Sequence, residues 1–236
     1  MDTLAGNGDI DAMRDLSVSH SKIGDVQVKN GDLAAARASY EASLEIAKCL
    51  AESYSCSGEL KRDLAVIYNK VGGVQRANGD LTEALASYKA SHNVFKKLVA
   101  SEPENAASQH DLSISHIKIG DVYLGRGHPG RALARYQASM AIRKCLVAHD
   151  PSNAIWRRDL CVSHGNIGDV LVAQGRLATA LVSFEASHSI FKCLAANDSG
   201  NLGRQRDLSV SHDKIGDILV QKGDLARALV RYTGSH

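Results

Sequence analysis

The sequence has no long apolar run and almost no net charge, and both absences exclude classes of function. No stretch approaches the ~18 consecutive apolar residues of a transmembrane helix, so we expect no membrane partner. The 28 basic and 26 acidic residues leave a formal net charge of +2, which provides no field for nucleic acid or an anionic membrane. The first residues carry no basic region followed by an apolar core, so we expect no signal peptide and a cytoplasmic location.

The sequence also lacks the motifs of catalysis and metal binding. It has no Gly-rich phosphate loop and no His-Glu-x-x-His zinc motif. Its five cysteines include no Cys-x-x-Cys pair, and free thiols in a cytosolic protein are the simplest interpretation. Ser–His neighbours occur, as at Ser19-His20, but adjacent helix residues point about 100° apart and do not face each other. We therefore predict no enzyme, no cofactor and no metal site.

The sequence does contain a repeat, which occurs five times. The pair Asp-Leu recurs every 48 residues, at Asp15, Asp63, Asp111, Asp159 and Asp207. Self-similarity at a fixed period indicates a repeat architecture. We predict one repeat domain over residues 1–236, with units at about 9–56, 57–104, 105–152 and 153–200 and an incomplete unit at 201–236.

Each unit has the pattern of two helices joined by a short turn. In the fourth unit, Asn153 is the predicted N-cap of the first helix, Gly175 marks the turn, and the second helix follows from Leu177. The equivalent cap positions hold Asp9, Ser57, Asn105 and Asn201. Helices of roughly 20 residues joined by short loops form antiparallel hairpins.

A glycine recurs inside the first helix of every unit, although it costs about 0.5–1 kcal/mol there relative to alanine. The members of this row are Gly24, Gly72, Gly120, Gly168 and Gly216. We interpret the row as the point where the second helix crosses closely, with the alanine row that starts at Ala36 on the other side of the contact. The aromatic row that starts at Tyr40 is expected to fill the space between successive units.

These positions together resemble the tetratricopeptide repeat. In the first unit the resemblance rests on Ile23-Gly24, Gly31-Asp32, Ala36, Tyr40 and Ser43, and the same pattern recurs in all five units. The usual unit has about 34 residues, so both helices are extended here, as in the longer repeats of kinesin light chains, and the array resembles a bacterial type. The resemblance implies an all-α fold, an α-solenoid of antiparallel helix hairpins in a right-handed superhelix.

The resemblance also implies a function, because the concave face of such arrays binds extended peptides or partner helices. Carried over position by position, this face becomes a lysine row and an aspartate row flanked by aliphatic residues. The predicted partner-binding residues are Lys22, Asp25, Val66, Asn69, Lys70, Ile114, Lys118, Asp121, Val162, Asn166, Asp169, Lys214 and Asp217. The Lys and Asn clamp with which chaperone-binding members hold a C-terminal carboxylate is absent. The predicted function is a non-enzymatic protein-interaction scaffold whose partner the sequence does not identify.

Several alternatives stay open. The lysine and aspartate rows also fit helix pairs at i,i+3, such as Lys22–Asp25. The last unit stops within its second helix and leaves Leu229 partly uncovered, which favours self-assembly with another copy through the C-terminal end. The array can also be the sensor or scaffold part of a larger multidomain protein.

A histidine row replaces the large apolar residue that the family usually has at one position of the first helix. Its members are His20, His116, His164 and His212. We interpret them as core histidines rather than metal ligands, because the members come one per unit and a metal needs ligands within about 2 Å of one ion. A buried neutral histidine has a lowered pKa, so its stabilising contribution is expected to be lost as the pH falls below ~6.5.

Overall fold

The computed structural model describes residues 2–234, and of residues 2–8 it describes the backbone alone. Within that range the chain forms ten helices and no strand. It divides into two compact units, Met1–Arg126 and Gly127–His236. The predicted all-α fold class is therefore confirmed.

Both units are built from consecutive antiparallel helices. The first unit contains α1 (Asp2–Lys29), α2 (Leu33–Ser53), α3 (Gly58–Ala77), α4 (Leu81–Ser101) and α5 (Ala106–Gly125). The second contains α6 (Pro129–His149), α7 (Ala154–Ala173), α8 (Leu177–Ala196), α9 (Leu202–Gln221) and α10 (Leu225–Thr233). Within each unit every helix packs against the next one in sequence, because short connections favour antiparallel packing of consecutive helices. Each unit is thus a segment of a helical-hairpin solenoid, as predicted, while the superhelical sense of the array stays a prediction.

Four of the five predicted N-caps are confirmed. The capping side chains accept hydrogen bonds from first-turn N–H groups in α3, α5, α7 and α9, and they are Ser57, Asn105, Asn153 and Asn201. The prediction for Asp9 is wrong, since α1 already begins at Asp2 and passes through Asp9. No proline precedes Asp9, whereas Pro103 and Pro151 precede two of the true caps and cannot continue a helix.

The turn inside each hairpin depends on a glycine in the left-handed region. Gly31, Gly79, Gly127, Gly175 and Gly223 have φ between 72° and 89°, where a side chain with a Cβ is strained. In the fourth hairpin α8 then begins at Leu177. The sequence prediction of this turn is confirmed.

The glycine row inside the first helices marks a close contact, and the nearest atoms across it belong to the aromatic ring rather than to the alanine row. A Cβ built on Gly168 would lie 2.6 Å from Cε1 of Phe184, and one on Gly24 would lie 2.5 Å from Cε1 of Tyr40. The ring is larger than the alanine methyl group, and it approaches the backbone of the first helix at the glycine, which has no side chain. Tyr40 also packs with Val71 and Val74 of the next hairpin, so its predicted role between successive repeats is confirmed.

All five cysteines are free, with Cys161 buried and Cys49, Cys145 and Cys193 exposed. Cys56 is exposed as well, and Cys49, Cys145 and Cys193 share one repeat position. Between Asp2 and Gly234, no helix has both the length and the apolar character that crossing a membrane requires.

Candidate partner-binding groove

The predicted binding residues all lie on the first helix of a hairpin. We call these helices A (α1, α3, α5, α7 and α9) and their partners helices B (α2, α4, α6, α8 and α10). One side of the helices A exposes aliphatic side chains that a folded core would bury: Val18, Val66, Val162 and Val210 are 36–48% exposed. We call the side that carries these valines with the lysine and aspartate rows the groove face.

A pocket lies between consecutive helices A in each unit. In the first unit it has a volume of about 230 Å³ and lies between α1 and α3, lined among others by Val18, Asp25, Val66 and Lys70. In the second unit a pocket of about 240 Å³ lies between α7 and α9. Its lining includes Val162, Asp169, Val210 and Lys214, which are the same repeat positions three repeat lengths later. The repeat thus builds the same pocket twice.

A third pocket of about 350 Å³ extends along the groove face of the first unit. It is formed by α1, α3 and α5, and its lining includes Val28, Val66, Asn69, Gly73 and Lys118. The three pockets together contain ten of the thirteen predicted residues: Lys22, Asp25, Val66, Asn69, Lys70, Lys118, Val162, Asn166, Asp169 and Lys214.

The other three predicted residues do not line these pockets. Ile114 is half-buried in α5. Asp121 lies 3.6 Å from the Arg76 guanidinium. Asp217 accepts a hydrogen bond of 2.7 Å from the Tyr232 hydroxyl.

The lysine and aspartate rows pair between hairpins. Lys70 Nζ donates to both carboxylate oxygens of Asp25 at 2.7 and 2.8 Å, and Lys214 Nζ donates to Asp169 at 2.6 Å. Lys214 thus reaches the preceding helix A rather than Asp217 on its own helix, which was the i,i+3 alternative. These pairs tie adjacent helices A together along the groove face.

Asp25 is paired with more than the Lys70 ammonium. It also accepts a 2.7 Å hydrogen bond from the Tyr40 hydroxyl. Partial burial by itself raises the pKa of Asp25, but the hydrogen bonds from Lys70 and Tyr40 outweigh it, and the net pKa lies below its ordinary value. Burial and the neighbouring Asp25 carboxylate raise the pKa of Tyr40. Asp25 is therefore held in its charged form by donors from two hairpins.

A second row of ion pairs was missed by the sequence reasoning. An arginine of one helix A donates to an aspartate of the next at 2.6–2.7 Å, in the pairs Arg14–Asp63, Arg62–Asp111 and Arg158–Asp207. The available signal was the dipeptide Arg-Asp, which precedes leucine at the same position of several repeats. The offset between successive helices A brings the arginine of one repeat next to the aspartate of the next, and this offset is known only from the structure.

Two histidines of the predicted row, His116 and His212, each pack against a histidine of the preceding helix B. His92 and His116 have ring centroids 4.6 Å apart, and His188 and His212 have centroids 4.4 Å apart. His92 and His188, which lie on helices B, were missed, although they are two repeat lengths apart. Within the part of the chain that the structure describes, no three His, Cys, Asp or Glu side chains form a group that could hold a metal ion.

The pKa values of three histidines in the second unit, His164, His188 and His212, are lowered, which is the direction predicted for buried histidines. Burial, and then the neighbouring His212, Arg231 and Lys192, lowers the pKa of His188 to about 4. Burial is also the largest cause that lowers the pKa of His164 and of His212. The His188 Nδ1 atom lies 2.9 Å from Ser211 Oγ, which gives the neutral ring a polar partner across the hairpin junction.

Comparison with known proteins agrees with this geometry. Residues 19–48 match the tetratricopeptide repeat family. No curated protein sequence matches the chain. Among solved structures, the crystal structure of BtubC (BKLC) from P. vanneervenii is similar with a TM-score of 0.71 and 16% identity, over 94% of this chain and 79% of that one.

Two further structures share the fold. The apo form of RapI aligns with a TM-score of 0.68 and 13% identity over 92% of this chain, which spans 51% of the RapI chain. The crystal structure of a Podosopora anserina putative kinesin light chain with nearly identical TPR-like repeats aligns with a TM-score of 0.58 and 11% identity, over 94% of this chain and 93% of that one. At these identities the likeness shows the fold alone. The matched repeat and the helical-hairpin fold together support a tetratricopeptide repeat family for this chain.

Proposed function

We propose that the chain is a non-enzymatic protein-interaction scaffold that binds an extended peptide or a helix of a partner protein along its groove face. The observation that supports this function is the recurrence of one pocket, with the same lining positions, between α1 and α3 and between α7 and α9. A pocket that recurs with the same lining suits a partner that presents the same kind of side chain more than once.

The chemistry of the pockets suits a polypeptide. The exposed valines offer apolar surface to side chains, and the neighbouring Lys–Asp pairs offer donors and acceptors to the polar groups of a peptide backbone. Binding sites typically combine such apolar walls with a few well-placed polar groups. The ion pairs between helices A hold the groove in place before binding, which lowers the ordering cost of association.

A screen for peptide binding tests this function. The probe is a random library of nine-residue peptides displayed on phage, followed by affinity measurements on the enriched peptides. Val162 lines the pocket between α7 and α9. Val162→Glu in the full chain should therefore weaken the binding of peptides that occupy this pocket at least tenfold. Val182 is 65% exposed on helix B, and Val182→Glu places the same charge outside the pockets.

The control should bind as the wild type does, and circular dichroism should show unchanged helical content in both variants. Enrichment of no peptide, or equal weakening by both substitutions, would contradict the proposed groove.

Self-assembly is a second candidate, and a specific observation favours it. In the second unit α10 exposes Leu225, Leu229 and Val230 by 64–68%. An exposed apolar face of this kind would allow a second copy to stack on it. Light scattering over a concentration range tests it: a constant mass near 25.2 kDa excludes stacking, while a mass that grows with concentration and is lost on deletion of residues 206–236 supports it.

A further inference from the structure

The Lys–Asp pairs of the groove face follow one pattern with one interruption in the first unit. At the junction of α1 and α3, the carboxylate of Asp25 receives the Tyr40 hydroxyl and the Lys70 ammonium. At the junction of α7 and α9, Asp169 receives Lys214. At the junction of α3 and α5, Gly73 occupies the repeat position of these aspartates. This junction therefore has no equivalent carboxylate.

The two donors that would surround this carboxylate are nevertheless present. Tyr88 and Lys118 occupy the positions of Tyr40 and Lys70, and Lys118 Nζ lies 5.7 Å from the centroid of the Tyr88 ring. Lys118 is half-buried, and it forms no ion pair with any residue in the described range 2–234. The carboxylate of Asp121, on the same helix, lies 3.6 Å from Arg76. Burial lowers the pKa of Lys118 and outweighs the opposing attraction of the Asp121 carboxylate.

Space for the missing carboxylate is also present. A Cβ built on Gly73 would meet only the Tyr88 hydroxyl, at 3.9 Å. Gly73 and Lys118 line the pocket of about 350 Å³ together with Val28, Val66 and Asn69. The side-chain oxygen of Asn69 is buried and has no hydrogen-bond partner in the described chain, so it can accept an N–H group from a ligand. The pocket thus offers a cation, an acceptor and aliphatic walls.

We propose that this pocket binds the side-chain carboxylate of an aspartate or glutamate in the partner segment, with Lys118 as its ion-pair partner, Asn69 as an acceptor for a backbone N–H, and Val28 and Val66 against flanking aliphatic side chains. The partner supplies the group that Asp25 and Asp169 supply elsewhere. A hydrogen bond between charged groups in a partly buried site is stronger than one between neutral groups. This proposal rests on the proposed groove function and names the chemistry that one pocket of the groove recognises.

The first test needs no ligand. Gly73→Asp restores the missing carboxylate from within the chain, and Gly73→Asn is the uncharged control of the same shape. Both remove a helical glycine, so the difference between them reports the charge. We expect Gly73→Asp to melt about 2–4 °C above Gly73→Asn, and we expect this difference to vanish in a Lys118→Met background. Equal melting temperatures, or a gain that persists without Lys118, would overturn the proposal.

The second test uses a positional-scanning library of nine-residue peptides that are acetylated and amidated, so that side chains supply the only carboxylates. We expect the wild type to prefer Asp or Glu over Asn or Gln at one position by about tenfold. Gly73→Asp and Lys118→Met should abolish that preference. Lys89 is exposed on α4 and lines none of the three pockets, so Lys89→Met is the control and should keep it.

The outcomes separate this proposal from the proposed function. Peptide binding without an acidic preference, or with a preference that Gly73→Asp leaves intact, overturns the carboxylate site and leaves the groove function standing. Binding of peptides with a free C-terminus only would replace the side-chain carboxylate by a terminal one and also overturn the proposal as stated. Binding of no peptide overturns both.

Discussion

The contact inside a hairpin and the contact between successive helices A are built from different chemistry. Inside the hairpin, a glycine of helix A faces an aromatic ring of helix B at Gly24–Tyr40, Gly72–Tyr88, Gly168–Phe184 and Gly216–Tyr232. Between hairpins, helix B also packs its apolar side chains on the next helix A, whereas successive helices A are joined by charged pairs whose members change from one junction to the next. The hairpin is thus the repeated structural unit, and the junctions carry the differences that can specify a partner.

The energies of the two contacts explain why one varies and the other does not. Every ring in this row leaves space for a glycine hydrogen but not for a Cβ, so the core contact tolerates few alternatives. A half-exposed ion pair contributes only about 0–1 kcal/mol, so replacing Asp by Gly at position 73 costs the fold little. The groove face can therefore change its chemistry without loss of the hairpin.

The largest expected effect follows from removing a ring from the core contact. Phe184 is 3% exposed, and Phe184→Ala should lower the free energy of unfolding by about 3–5 kcal/mol because it leaves a cavity beside Gly168. Urea denaturation measures the loss. Val182 lies on the same helix and is 65% exposed, so Val182→Ala should change the stability by less than about 0.5 kcal/mol. Similar losses for the two variants would show that the ring does not anchor the hairpin.

Adding one methyl group to the core contact tests the same comparison from the other side. Gly168→Ala places a Cβ 2.6 Å from the Phe184 ring, and we expect a loss of about 1–3 kcal/mol from overpacking. Gly165 lies on the same helix with open space around its Cβ position, so Gly165→Ala should instead stabilise by about 0.5–1 kcal/mol. Opposite signs in urea denaturation are the expected result, and a gain at both positions would contradict the close contact.

The core contact could be predicted from the sequence only in part. The period placed Gly168 and Phe184 in equivalent rows, and the helix starts at Ser57, Asn105, Asn153 and Asn201 follow from the chemistry of capping. The mutual contact of glycine and ring was assigned to alanine instead, because the spacing of residues along two helices does not give their crossing point. That point depends on how the two surfaces interlock.

The junctions were harder to predict because their partners lie a full repeat apart. The lysine and aspartate rows were visible, but Lys214 fits both Asp217 on its own helix and Asp169 one repeat earlier until the shift between helices is known. The missing carboxylate at Gly73 was visible as a departure from the row. Its consequence could not be predicted, because it depends on Tyr88 of α4 and Lys118 of α5 lying beside the same space next to Gly73 of α3.

The junction between α8 and α9 should make stability depend on pH. The folded pKa of His188 lies at about 4, while an unfolded histidine titrates at ~6.5, so the unfolded chain binds more protons between these values. The stabilising contribution of neutral His188 is complete above about pH 6.5 and is lost as the pH falls toward 4. We expect the urea midpoint to fall between about pH 7 and about pH 5. Met140 occupies the equivalent position in α6, so His188→Met should make that fall shallower.

Two controls sharpen this prediction. His149 is exposed, and His149→Met should leave the pH dependence as it is in the wild type. His212 faces His188 and has a lowered pKa of its own, so some pH dependence should remain in His188→Met. An unchanged slope in that variant would mean that His188 does not carry the effect.

The smallest expected effect is at an ion pair between helices A. Arg158 donates to both carboxylate oxygens of Asp207, at 2.7 and 3.2 Å, but its side chain is 55% exposed. Water and salt screen such a pair, so a double-mutant cycle of Arg158→Ala and Asp207→Ala should give a coupling of about 0–1 kcal/mol that decreases at high salt. Urea denaturation of the four proteins at low and high ionic strength measures it. A coupling above about 2 kcal/mol would place these junctions on a level with the ring contact, and the freedom of the groove face to vary would then need another cause.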